Sequence, residues 1–143
     1  MKRFHIHIAV DDLEQNIHFY SALFQSEPSI HEIDYAKWML DDPRINFAIS
    51  TRGRKPGLDH LGIQVQSTDE LDLVQQGLTA AALPVVSQKQ ASCCYAESDK
   101  YWTVDPQGIA WEAFYSLNAI PMFGEDGVIQ LEPDSSCCKP SQK

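Results

Sequence analysis

The feature that most constrains this chain is that it repeats itself. His5-Ile6-His7-Ile8-Ala9-Val10 returns as His60-Leu61-Gly62-Ile63-Gln64-Val65, and each copy runs into a helix start. In the first copy Asp12 is followed three residues on by Gln15, with Leu13, Ile17, Tyr20 and Phe24 at helical spacing. In the second, Ser67 and Glu70 read as a capping box ahead of Leu71, Val74, Leu78 and Ala82. The copies meet again where Lys37-Trp38-Met39-Leu40-Asp41-Asp42-Pro43 aligns with Lys100-Tyr101-Trp102-Thr103-Val104-Asp105-Pro106. One inserted glycine, Gly108, restores the register up to Ala48 and Glu112. Asp-Pro marks a turn between alternating runs in both. Each half therefore reads β-α-β-β-β, with strands near 3–10, 28–32, 35–41 and 45–50, then 58–66, 84–89, 92–104 with a break, and 109–115.

A unit of roughly 55 residues leaves one sheet face bare, so two units are expected to fold together. The expectation is an α+β domain over 1–118, built from modules 1–55 and 56–118 that share a mixed sheet. Residues 119–143 leave the repeat, become rich in Pro, Ser, Asp and Lys, and are expected to form a flexible tail that carries Cys137-Cys138.

Composition sets the class. With 43% hydrophobic and 22% charged residues in 143, the chain is globular. Twenty acidic against 11 basic residues give a net charge of −9, and the only basic cluster is Arg52-Gly53-Arg54-Lys55. Nucleic acid is excluded as an expected partner, because phosphate binding needs a basic face. No uncharged apolar run reaches the roughly 18 residues of a membrane span, and the N-terminus lacks the apolar core of a signal peptide. The four cysteines form two adjacent pairs, and neighbours about 3.8 Å apart at Cα are too close for an unstrained disulfide. Reduced thiols point to the cytoplasm.

Strand alternation sorts the faces. Phe4, Ile6, Ile8 and Val10 share one side of the first strand, leaving His5, His7 and Ala9 on the other. Leu61, Ile63 and Val65 leave His60, Gly62 and Gln64 opposite, and Ile109, Trp111, Ala113 and Tyr115 leave Glu112 among apolar neighbours. A local twofold between the modules brings His5 and His60 together. Two imidazoles and one carboxylate on converging strands make a facial triad that suits Fe(II) and keeps positions open. The fourth position the repeat implies is Ala48, which cannot ligate. The residues leave a second reading open: histidines satisfied by backbone hydrogen bonds, with Glu112 paired to Lys37 or Lys100. His7 shares the cleft face as a lining, supporting or acid/base residue, while His18 and His31 are expected at the surface.

The repeat, Ala9-Val10-Asp11-Asp12-Leu13, Phe19-Tyr20, Leu58-Asp59-His60-Leu61-Gly62-Ile63 and Asp105-Pro106-Gln107-Gly108-Ile109-Ala110-Trp111-Glu112 resemble the vicinal oxygen chelate superfamily of glyoxalases, extradiol dioxygenases and bleomycin resistance proteins. The resemblance covers residues 3 to about 116 and implies paired modules curled around a metal cleft. Within it, 34–43, 45–52 and above all Cys93-Cys94-Tyr95-Ala96 with Ser98-Asp99-Lys100 are similar to the Fe(II)-dependent organoarsenical C–As lyases, whose relatives are often called cadmium-induced proteins. That resemblance implies iron on His5, His60 and Glu112, and trivalent arsenic on Cys93 and Cys94.

The thiol pair fits soft-metal chemistry, since thiolate is the soft ligand and trivalent arsenic and Cd(II) are soft. In an ideal strand Cys93 and Cys94 point to opposite faces, so joint chelation needs a loop or bulge there; otherwise one is core and the other surface. Three functions follow from the residues and the resemblance. The first is Fe(II)- and O2-dependent cleavage of a trivalent organoarsenical. The second is thiol-based sequestration of Cd(II) or As(III), and the third a dioxygenase or glyoxalase acting on a carbon substrate. Whether the cleft forms within one chain or across a homodimer is left open, as is the role of Cys137-Cys138.

Overall fold

The computed structural model describes residues 1–93 and 95–119. The chain runs β1 (Arg3–Ala9), α1 (Leu13–Phe24), β2 (Ile30–His31), β3 (Tyr35–Asp41), β4 (Arg44–Ser50), β5 (Gly57–Gln64), α2 (Thr68–Ala80), β6 (Val86–Cys93), β7 (Ala96–Val104) and β8 (Ala110–Ala119). This is the expected α+β order. Both helices start where their caps predict: Asp12 accepts from the Gln15 N–H at 2.9 Å, and Ser67 from the Glu70 N–H at 3.2 Å. Glu70 reaches back to the Gln66 N–H, one residue before the cap. Neither helix is long and apolar enough to cross a membrane.

The eight strands form one mixed sheet in the order β2-β3-β4-β1-β5-β8-β7-β6. The halves join through antiparallel β1 and β5, and each of these pairs in parallel with the last strand of its own half, β4 or β8. Five strand spacings separate β3 from β7, about 24 Å in a flat sheet. Yet the Tyr95 ring, just before β7, lies 5.6 Å from that of Tyr35 on β3. The sheet therefore curls until its two wings touch.

The long strand expected over 92–104 breaks at Tyr95, which has φ of 61°, and the chain reverses between the paired residues Cys93 and Ala96. The repeat also slips. Sequence alignment matches Trp38 with Tyr101, but Trp38 stands opposite Phe47 whereas Thr103 stands opposite Trp111. The turns explain the difference: Asp41 pairs with Arg44 across two residues, while Val104 pairs with Ala110 across five. Asp105 holds the longer turn, accepting from the N–H groups of Gln107 and Ile109 and from the Trp111 indole. A shift of two leaves every side chain on its expected face, so the alternation argument survives it.

Both helices pack on one face. Leu13 and Ile17 of α1, with Tyr20 and Phe24, meet Ala36, Trp38, Phe47 and Ile49. Leu71 and Val74 of α2 meet Val65, Ala113, Ile63 and Tyr101. Burial of each large side chain contributes about 1.5–3 kcal/mol. The opposite face holds His5, His7, His60 and Glu112, each no more than 6% exposed.

Candidate metal centre

Three atoms converge where β1, β5 and β8 lie side by side. His5 Nε2 and His60 Nε2 are 3.2 Å apart, and each is 3.2 Å from Glu112 Oε1. His60 does not stand directly across from His5. Its ladder partner is His7, and His5 pairs with Gly62, so the two converging histidines meet on the diagonal. All three residues belong to one chain, so the cleft needs no exchange of modules.

The other ring nitrogens fix what the converging atoms can do. His5 Nδ1 donates to the Asn46 carbonyl at 3.0 Å, and His60 Nδ1 donates to Asp59 Oδ1 at 2.8 Å. With the protons held there, both Nε2 atoms present lone pairs to a carboxylate oxygen. Three such atoms at this distance repel unless a proton or a metal ion sits among them. Donors bound to a divalent transition ion at about 2.0–2.2 Å are spaced in this way, and a carbonyl or carboxylate on the far nitrogen is the usual support of a metal-binding histidine. The residues fit a metal ion, and two histidines with one carboxylate is the donor set of non-haem iron.

A wider histidine set, His5, His7 and His60, has donor atoms within 4.8 Å of one another. The three mutual 3.2 Å contacts run through Glu112 Oε1 and not through His7. His7 Nε2 is moreover engaged with Ser50 Oγ at 2.7 Å. We therefore place Glu112, not His7, in the tight set.

In the absence of a metal, charge holds the site together. Burial pulls the His60 imidazole toward the neutral form, but the Glu112 charge and the hydrogen bonds to Asp59 and Glu112 outweigh it and raise the pKa to about 9. Burial would raise the Glu112 carboxyl, yet Lys100 and His60 keep it well below its ordinary value. Lys100 Nζ stands 3.2 Å from Glu112 Oε2, so the ion pair with Lys100 expected as the alternative to ligation coexists with the triad on the second oxygen. His7 is held well below the ordinary imidazole value by burial and by His60 and His5. Its Nδ1 has no partner among the described residues.

The repeat explains the asymmetry of the site. His7 lies beside Ala48 in one parallel ladder and Gly62 beside Glu112 in the other. At each equivalent place a large residue faces a small one, but the sizes are exchanged. Ala48 is fully buried and ligates nothing, as the sequence implies.

Several supporting residues escaped the sequence reading. Asp59 should alternate away from His60. Instead β5 carries a bulge there: His7 pairs with His60 and Ile8 with Leu58, leaving Asp59 unpaired and re-aimed into the site. Its carboxyl is lowered by the His60 hydrogen bond and by nearby positive charge, despite burial. Tyr95, next to the cysteine pair, is buried and donates its hydroxyl to Asp34 Oδ1 at 2.5 Å, fastening the β6–β7 hairpin to the first module. Neither contact leaves a periodic signal.

A cavity of about 40 Å³ opens on His5 and Glu112 of the triad, lined also by Lys37, Lys100, Ser98 and Ala96 among others. It shares Lys37, Ala96 and Ser116 with a broader space of about 270 Å³ that Tyr95 and Leu117 border. Cys93 closes β6 opposite Ala96, so the backbone of the thiol segment reaches the cavity wall. The Cys93 side chain, Cys94, Cys137 and Cys138 lie outside the described residues. His18 and His31 are exposed, and His31 pairs with Glu14.

Comparison with known proteins identifies relatives of the chain and of its fold. A trivalent organoarsenical cleaving enzyme of Bacillus sp. (strain MD1) is 39% identical over 123 residues, 84% of this chain and 76% of the relative. A second protein so described, from Thermomonospora curvata, is 30% identical over 98% of this chain and 90% of its own length. Cadmium-induced protein CadI of Mycobacterium bovis is 34% identical over 87% and 82%. Among solved structures, an extradiol ring-cleaving dioxygenase from B. fuscum superposes with a TM-score of 0.62 at 15% identity, over 81% of this chain and 32% of the dioxygenase. The Mn(II)-bound glyoxalase from Novosphingobium aromaticivorans gives 0.60 at 15%, over 88% and 43%. The chain thus spans about a third to two fifths of these structures, and the likeness establishes the fold. Residues 2–113 match the Glyoxalase/Bleomycin resistance protein/Dioxygenase superfamily as a sequence family. This chain belongs to that superfamily.

Proposed function

We propose that this chain is an enzyme that cleaves the carbon–arsenic bond of trivalent organoarsenicals, methyl or aryl, with Fe(II) and O2, releasing inorganic arsenite. The observation that carries the reading is the triangle of His5 Nε2, His60 Nε2 and Glu112 Oε1 at 3.2 Å, with the Cys93 hairpin reversing beside its cavity. The relatives described as trivalent organoarsenical cleaving enzymes support the substrate class.

His5, His60 and Glu112 would hold the iron, which supplies O2 activation when bound. Asn46 and Asp59 keep the imidazole protons on Nδ1. Lys100 occupies Glu112 Oε2 and leaves Oε1 to face the histidines. Phe114 packs edge-on against His5 at 5.2 Å and Trp102 against His60 at 5.1 Å, limiting ring rotation. Cys93 and Cys94 would bind arsenic as thiolates, and Tyr95 anchors their hairpin. The 40 Å³ cavity admits a small molecule, while the broader space outside it suits the organic group.

The test is anaerobic reconstitution with Fe(II), followed by mixing with methylarsenite and air. Arsenite detected by mass spectrometry is the expected result, and its absence overturns the proposal. The name of the mycobacterial relative favours a second reading, sequestration of Cd(II) or As(III) by thiols. Under that reading Cys93→Ser lowers soft-metal binding and His60→Ala changes nothing, whereas turnover requires His60. Activity on a carbon substrate that survives loss of both Cys93 and Cys94 would instead favour a dioxygenase or glyoxalase.

A further inference from the structure

The two modules share a plan but not a core. Opposite Phe47 the first module places Trp38; opposite Trp111 the second places Thr103. Two residues along, Ile49 in β4 becomes Ala113 in β8. Where α1 presents Tyr20 and Phe24 to the sheet, α2 presents Val74 and Leu78. Growth elsewhere, Phe47 to Trp111 and Ala36 to Tyr101, does not refill the space. The result is a cavity of about 320 Å³ between α2 and the sheet, bounded by Ile63, Val74, Leu78, Tyr101, Trp111 and Ala113 among others. A dry apolar cavity of about 150 Å³ is enough to take benzene.

We propose that this cavity is a binding site for a small, neutral, apolar molecule of one or two rings, separate from the metal centre. The lining is almost wholly apolar: beside the single Thr103 hydroxyl, its two aromatic donors are committed elsewhere. The Tyr101 hydroxyl bonds Asp72 at 3.2 Å and the Trp111 indole N–H bonds Asp105 at 3.3 Å. Those carboxylates, in a chain of net charge −9, also disfavour an anionic amphiphile. Trp111 and Ala113 flank Glu112 on β8 while Glu112 faces the other way, so an occupant touches the neighbours of the proposed metal carboxylate from behind the sheet.

The experiment is a titration of the full-length, methyl-labelled chain with naphthalene, read by NMR and by thermal unfolding. The expected result is saturable shifts at Ile63, Val74, Leu78 and Ala113, none at Ile17 and Ile49 in the first-module core, and a rise in Tm. Val74→Phe and Ala113→Ile restore bulk of the kind the first module carries, and each should weaken binding at least about tenfold, because an occupant would then overpack the space. Naphthalene-2-sulfonate should not bind. Shifts that never saturate, equal shifts in both cores, undiminished binding in a folded filled variant, or equal binding of the sulfonate would each overturn the proposal.

Discussion

A methyl group added at Gly62 would stand 2.5 Å from the Glu112 carbonyl oxygen and 2.9 Å from Glu112 Cγ. No side chain fits there, because Glu112 folds over the glycine on its way to the histidines. Gly62→Ala is expected to push β8 away from β5. Overpacking of this kind costs about 1–3 kcal/mol. Unfolding in urea should show that loss, and Fe(II) loading measured by metal analysis should fall with it. A variant that loads iron normally would show that Glu112 need not pass over residue 62.

Asp59 sets the orientation of His60. Asp59→Asn keeps an acceptor but removes the charge, and Asp59→Ala removes both. Loss of such a partner usually weakens metal binding about 10- to 100-fold. Competition with a chelator should rank affinity as unsubstituted chain, then Asn, then Ala.

The raised pKa of His60 fixes a pH dependence of the metal-free protein. Its folded value of about 9 lies above the ordinary 6.5, so the folded state holds the proton more tightly than the unfolded chain. This contribution to stability is complete below about pH 6.5 and is lost as pH rises through 9. Metal binding must displace the same proton, so apparent affinity should rise across that window. Thermal unfolding of the metal-free chain and metal titrations from pH 6 to 9 should therefore move in opposite directions.

Lys100 and Glu112 form a buried pair, and removing the lysine leaves the carboxylate with the His60 charge beside it, at a cost of up to about 3–5 kcal/mol. Lys100→Met should lower the Tm of the metal-free protein sharply. A divalent ion supplies positive charge at Glu112, so saturating metal should recover part of the loss. Equal destabilisation with and without metal would place the ion away from Glu112.

Tyr95 ties the cysteine hairpin to Asp34 through its hydroxyl. Tyr95→Phe keeps the ring against Tyr35 and loses the hydroxyl tie. Binding of arsenite to the metal-free protein, followed by thiol accessibility, should weaken several-fold, and Asp34→Asn should reproduce the effect. Iron affinity should stay unchanged, because Tyr95 and Asp34 lie outside the triad of His5, His60 and Glu112.

Much of this was legible in the chain itself. The caps at Asp12 and Ser67 and the alternation of β1, β5 and β8 are local, and local rules place them correctly. The grouping of His5, His60 and Glu112 followed from the repeat, since equivalent strands meet at the module junction. Asp59 was hidden because a bulge breaks the period that sequence reasoning relies on. The β7 slip was hidden because an alignment rewards the matched Asp-Pro turns, whereas the ladder responds to turn length.

The sequence by itself determined the two β-α-β-β-β modules, the face each histidine takes and the residues able to hold a metal, because periodicity and capping depend on near neighbours. Only the tertiary structure decided that the triad closes to 3.2 Å, that His60 meets His5 on the diagonal, and that Tyr95 draws the cysteine hairpin to the cleft. Those outcomes depend on how far the sheet curls and which residues face each other across strands. Such quantities are set by packing between segments far apart in the chain.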